Sequence, residues 1–157
     1  MMRKKLLRPD DSSDRRAEQW LDLVQLATVE VTSEDPSYPI EFALVPGEGP
    51  DWRAAHSGTQ IIRVVFDRPM PVRRLRLEFS EKEVERTHEF SLEWSAKPEG
   101  PFSEVVRQQW TFSPRGSTSE IEDYKVNLDG VSTLQLTLKP DLEPANAIAS
   151  EAAWRIA

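Results

Sequence analysis

Cysteine is absent from this 157-residue chain, which removes disulfides, thiolate zinc sites and a cysteine nucleophile at once and leaves the redox compartment open. Histidine occurs only at His56 and His88, and two imidazoles without a third ligand do not make a metal site. No apolar run approaches the roughly 20 residues that cross a bilayer. The opening Met1-Met2-Arg3-Lys4-Lys5-Leu6-Leu7 has a basic start, but Pro9, Asp10 and Asp11 cut it off before the apolar stretch of a secretion signal can form. A cytoplasmic protein with no membrane partner is the expectation. There is no Gly-x-Ser-x-Gly, no glycine-rich phosphate loop and no His-Glu-x-x-His, so neither catalysis nor a cofactor is expected. Glu120, Glu122 and Asp123 are the nearest thing to a glycosidase carboxylate pair, and in so acidic a chain they carry little weight.

Positive charge is in deficit. Twenty Lys and Arg face 27 Asp and Glu, a net charge of −7 that repels phosphate backbones and makes nucleic acid an unexpected partner. The basic run Arg73, Arg74 and Arg76 on an outward strand face is the only DNA-like feature, and Glu78 with the acidic loop beside it argues against that reading.

What the chain does have is alternation. Twelve prolines against 6 glycines and many short apolar runs point to a sheet protein with little helix. Gln60–Phe66 places Ile62, Val64 and Phe66 on one face, and Val72–Phe79 does the same with Leu75, Leu77 and Phe79. Glu89–Ser95 (Phe90, Leu92, Trp94), Val106–Phe112 (Trp110, Phe112), Ile121–Leu128 and Val131–Leu138 repeat the pattern. Turns are expected at Asp67–Pro71, Lys97–Gly100 and Pro114–Ser117, with a two-residue hairpin at Asp129-Gly130. An antiparallel sandwich or barrel follows. Residues 1 to about 12 read as a disordered lead. Two readings of Ser13–Leu26 stand: a short helix with Ala17, Trp20, Leu21 and Val24 on one face, capped by Ser13 or Asp14, or an alternation that already leads into a strand with Val29 and Val31 on one side.

Several segments together resemble a discoidin (coagulation factor 5/8 type C) domain. They are Pro39-Ile40-Glu41-Phe42-Ala43-Leu44, Trp52-Arg53-Ala54-Ala55, Val64-Val65-Phe66, Arg86-Thr87-His88-Glu89-Phe90-Ser91-Leu92, Arg107-Gln108-Gln109-Trp110-Thr111-Phe112-Ser113 and Ala149-Ser150-Glu151-Ala152-Ala153-Trp154-Arg155-Ile156. The resemblance spans about residues 24–157, leaving 1–23 as an extension. It implies an all-β, galactose-binding-like jelly-roll sandwich whose commonest activity is carbohydrate binding. It also implies a structural calcium, held by an Asp-Gly-Asp type loop before the tryptophan and a glutamate near the last strand. Here that loop reads Val45-Pro46-Gly47-Glu48-Gly49-Pro50-Asp51, and Ala153 stands where the closing glutamate is expected, with Glu151 two residues earlier. Calcium needs six to eight oxygens, so no metal is expected.

Counting strands up and down gathers the loops around 44–58, 80–88, 113–120 and 139–147 at the end that carries Trp52, and leaves tight turns at the other. The candidate ligand residues at the loop end are Trp52, Arg53, His56, Arg86, His88 and Arg115, with Arg107 and Gln109 just below. An aromatic face with Arg, His and Gln suits a sugar. Each also has a plainer reading: Trp52 as a plug in the end of the sandwich, Arg86 and His88 as partners of Glu81, Glu83 and Glu85. The alternative function is a protein-interaction scaffold, since Trp52-Arg53-Ala54-Ala55-His56-Ser57-Gly58 before an Ile/Val strand also resembles the amino-terminal domain of the eukaryotic single-strand-break repair scaffold.

Overall fold

Strict alternation gives a strand one apolar face to bury, and burying several such faces requires two layers. The structure, a computed structural model, describes residues 20–143 and 146–157. Its strands are β1 (Ala27–Val31), β2 (Trp52–Ser57), β3 (Gln60–Ser80), β4 (Arg86–Ser95), β5 (Ser103–Phe112), β6 (Ser119–Lys139), β7 (Ile148–Glu151) and β8 (Ala153–Ile156). Two single-turn helices, α1 (Leu23–Leu26) and α2 (Glu41–Leu44), complete the described elements. None of the described helices is long and apolar enough to cross a membrane.

The main sheet runs β1-β3-β6-β4-β5, β8 adds to β3, and β2 pairs with β7 in a separate ribbon; all pairings are antiparallel. β3 and β6, each 21 residues long, pair from Gln60↔Leu138 to Ser80↔Ser119. Register shifts between Val65 and Arg74 bend the pair in the middle. One half of each therefore lies beside β1 and β4, and the other half of β3 lies between β8 and the first half of β6. Strands that change sheets at a bulge are how a sandwich makes its corners.

Those corners correct two expectations. Asp67–Pro71 and Asp129-Gly130 are bends inside continuous strands, with Met70 paired to Val131. Proline is tolerated where a bulge leaves its missing N–H unneeded, and Gly130, at φ +64°, supplies the left-handed residue that a bulge requires as much as a hairpin does. The simple up-and-down order is corrected as well, because β6 inserts between β3 and β4.

The alternation itself holds. Ile62, Val64, Leu75, Leu77, Phe90, Leu92, Leu134, Leu136 and Leu138 are all buried, each worth roughly 1.5–3 kcal/mol of transfer free energy. Trp94 and Trp110 pack against that core but are only partly buried. In β1, Val29 and Val31 face the sheltered side while Thr28 and Glu30 are exposed. The helix reading survives only as α1, capped by the Asp22 carboxylate on the Val24 N–H at 3.2 Å, and Val24 itself is 64% exposed. Ser13, Asp14, Ala17 and the lead before them lie outside the described residues.

Backbone hydrogen bonds tie the long loops together at one end. The Glu81 N–H donates to Thr118 O at 2.8 Å, Leu142 N–H to Thr87 O at 2.9 Å and Gly58 N–H to Ala147 O at 3.4 Å.

Candidate functional site

At this loop end a cleft of about 650 Å³ opens between two walls. One wall is the outer face of the β2–β7 ribbon, with Asp51, Arg53, Ile148 and Ser150. The other is the segment from Ser80 to Arg86, which carries Glu81, Lys82, Glu83 and Val84; Asn146 and Ala147 close the rim. Strand parity builds the first wall. Trp52 and Glu151 are register partners and point into the core, so Arg53 and Ser150, also partners, must point out. A smaller hollow of about 280 Å³, lined by residues such as Leu21, Leu44 and Trp154, is mainly apolar.

The residues singled out from sequence divide sharply. Arg53 and Arg86 both line the cleft, but in different states. Arg53 is exposed, pairs with Asp51 at 3.2 Å and lies 3.9 Å over the Tyr38 ring. Arg86 is buried, donating to Glu81 Oε1 at 2.9 Å and to the Pro140 carbonyl at 2.7 Å. Trp52 has no exposed surface and donates its indole N–H to Ser33 O at 3.1 Å, so it supports the end of the sandwich from inside. His56 and Arg115 are exposed but do not line the cleft. Arg107 and Gln109 sit on the outer face of the main sheet, where Arg107 bonds Glu89 at 2.6 Å and Glu104 at 2.8 Å. Arg107 holds the Glu89 carboxyl below its usual range.

His88 lies beneath the loops, in the core. Its Nε2 is 2.5 Å from Glu120 Oε1, and its ring meets Phe79 and Phe112 edge-on at 4.7 and 4.9 Å. Burial, assisted by the Arg86 charge, pushes its pKa down to about 3, so the imidazole is neutral at pH 7. Burial likewise raises Glu120 and Glu122. A glycosidase pair must flank a sugar, and Glu120 is sealed in the core against His88. Asp123 is on the opposite face, bound by Arg74 at 2.6 and 2.9 Å.

The basic run is internally neutralised too. Arg73 pairs with Asp129 at 2.6 Å, Arg74 with Asp123 at 2.6 Å, and Arg76 with Glu78 at 3.0 Å, so none of these three is left bare for a phosphate backbone.

The calcium implied by the discoidin resemblance is tested by Glu151. It stands opposite Trp52, fully buried, with neither carboxylate oxygen hydrogen-bonded. Asp51, the other nearby carboxylate, lies on the cleft side of the ribbon and binds Arg53. No group of three or more carboxylate or imidazole ligands occurs among the described residues. One inward carboxylate does not fit a calcium shell. Burial instead drives the Glu151 pKa well up, with only partial opposition from Arg155, which favours the neutral, protonated carboxyl.

Sequence reasoning missed Lys82, Glu83, Asn146 and Ser150 as cleft residues. Ser150 was findable from the parity of β7; the other three sit in irregular loops with no periodic signal.

No family model and no curated protein matches the chain. Solved structures do. The chain is similar to the CBM32-1 and CBM32-2 domains of Clostridium perfringens ZmpB in complex with GalNAc, at 18% identity and TM-score 0.62, over 93% of this chain and 38% of that one. It is similar to the family 32 module of C. perfringens NanJ in complex with galactose, at 13% identity and TM-score 0.62, over 87% of this chain and 96% of that module. It is also similar to the CBM32 of AlyQ in complex with 4,5-unsaturated mannuronic acid, at 18% identity and TM-score 0.56, over 88% and 98% of the two chains. The chain therefore has the galactose-binding-like β-sandwich fold of these modules.

Proposed function

We propose that the chain is a non-catalytic carbohydrate-binding module of the discoidin type, taking a glycan in the cleft between the β2–β7 ribbon and the 80–86 segment. The observation that carries this reading is the cleft itself: a broad hollow of mixed polar and apolar lining at the loop end of a sandwich whose structural neighbours hold sugars. Arg53, Lys82, Asn146 and Ser150 bring the donors and acceptors that several hydroxyls need around one volume. Arg86 is a positioning residue that fixes the wall through Glu81 and Pro140. No aromatic side chain among the described residues lines the cleft, so recognition rests on hydrogen bonds without a stacking platform. Affinity near millimolar, about −4 kcal/mol, is expected of such an open site. A glycan array carrying galactose-, GalNAc- and uronate-terminated glycans tests it. Binding that is lost in Arg53→Ala supports the reading, and an array blank for the wild type overturns it.

A further inference from the structure

The sandwich has an open flank between β5, the edge of the main sheet, and the first half of β6, the edge of the other layer. The side chains turned into this flank are unlike the rest of the core. β5 contributes Gln108 and Trp110, and β6 contributes Glu120, Glu122 and Tyr124; His88, the register partner of Trp110, lies behind them. Hydrogen bonds join these side chains in two pairs. His88 binds Glu120 Oε1, and the Tyr124 hydroxyl donates to Glu122 Oε2 at 3.1 Å.

Two valences in this cluster are left over, and they are complementary. Glu120 is 1% exposed, yet its Oε2 has no partner; the Trp110 indole N–H is buried without an acceptor. Leaving a buried acceptor and a buried donor unmet in one corner is costly, and apolar residues would pack the same flank at less cost. The rings beside them are within reach of solvent, because Trp110, Tyr124 and Gln108 are only partly buried. Partly exposed aromatic rings next to carboxyls, an amide and an unused indole N–H match the requirements of a sugar ring, whose C–H face stacks while its hydroxyls both donate and accept.

We propose that this flank is a second binding site, separate from the cleft, for a neutral hydroxyl-rich ligand such as a pyranose. The sugar face lies on the partly exposed Trp110 and Tyr124 rings and a hydroxyl donates to Glu122; the Trp110 indole N–H and Glu120 Oε2, sealed in the free chain, are met by further hydroxyls once the Trp110 ring turns outward. An anionic sugar is disfavoured, because the flank supplies two carboxyls and the Arg86 guanidinium beside His88 is held by Glu81 and Pro140. The flank and the cleft therefore select differently: uronates can enter only the cleft.

Assigned amide and indole NMR spectra of the whole chain test this with galactose and N-acetylgalactosamine as probes. The Trp110 indole resonance, identified by its loss in Trp110→Phe, should shift and saturate in the millimolar range. Glu122→Ala and Tyr124→Phe should each weaken that response about tenfold or more. Arg53→Ala, in the cleft, should leave it unchanged. A Trp110 indole that neither sugar moves overturns the proposal. So does a Trp110 shift that survives Glu122→Ala and Tyr124→Phe but disappears in Arg53→Ala, since it would then report on the cleft. Shifts at Lys82 and Asn146 follow the cleft separately, so either site can fail alone.

Discussion

The cleft and the flank distribute polar chemistry in opposite ways. In the cleft the buried Arg86 is committed to Glu81 and Pro140, Arg53 uses only its Nε on Asp51, and no aromatic ring among the described residues lines the walls. In the flank a donor and an acceptor remain unmatched among partly exposed aromatic rings. A charged residue marks a ligand site only while its bonding capacity is not already taken up by the protein. Arg86 and Arg53 show this inside one cleft: the same residue type lines it twice, once buried and fully committed, once exposed with guanidinium capacity to spare.

The sharpest way to break that contrast is to remove each arginine. Arg86→Ala should cost about 3 kcal/mol in urea unfolding, because it strands the Glu81 carboxylate and the Pro140 carbonyl next to a buried gap. Arg53→Ala should cost less than about 1 kcal/mol, as its ion pair is solvent-exposed. Equal stabilities would mean that Arg86 is free to meet ligand after all.

Next in size is a pH effect, opposite in sign at two buried groups. The Glu151 pKa is raised in the folded state, so the native protein binds the extra proton. Its contribution is therefore complete below the unfolded carboxylate value and is lost as pH rises, by up to about 1.4 kcal/mol for each pH unit. His88 is depressed to about 3, so its contribution is present above the unfolded imidazole value and fades as pH falls from there toward 3. Melting curves across pH should show the alkaline decline flattened in Glu151→Gln, with the acid limb unchanged. An alkaline limb identical in wild type and Glu151→Gln would remove the buried proton from the account.

The smallest expected effect is that of a chelator, which should leave the melting midpoint where it was. A native-state metal site at 100-fold saturation adds about 2.7 kcal/mol, so occupancy would be plain. A drop of several degrees on adding EDTA, abolished by Glu151→Gln, would put a cation where a proton is assigned.

Much of the sandwich was legible because period-two alternation is a local signal: Leu75, Leu77, Phe79, Phe90 and Leu92 all face inward as read. The corners were not, because Pro69, Pro71 and Asp129-Gly130 serve a bulge as readily as a turn, and only long-range pairing distinguishes the two. Sheet order was hidden for the same reason. The burial of Arg86 and His88 was readable and was overlooked. They continue the inward register of Phe90 and Leu92, as Glu120 and Glu122 continue that of Tyr124. Lys82 and Asn146 reach the cleft through loop geometry that no periodicity encodes.

The central claim is that the loop-end cleft binds a glycan. Its most direct test is an amide NMR titration of the wild-type chain with the strongest array ligand. The account predicts shifts centred on Arg53, Lys82, Glu83 and Asn146, fading toward the opposite end and much reduced in Arg53→Ala. Shifts confined to the bends and turns around Met70, Lys97 and Asp129, or a titration identical in wild type and Arg53→Ala, would contradict it.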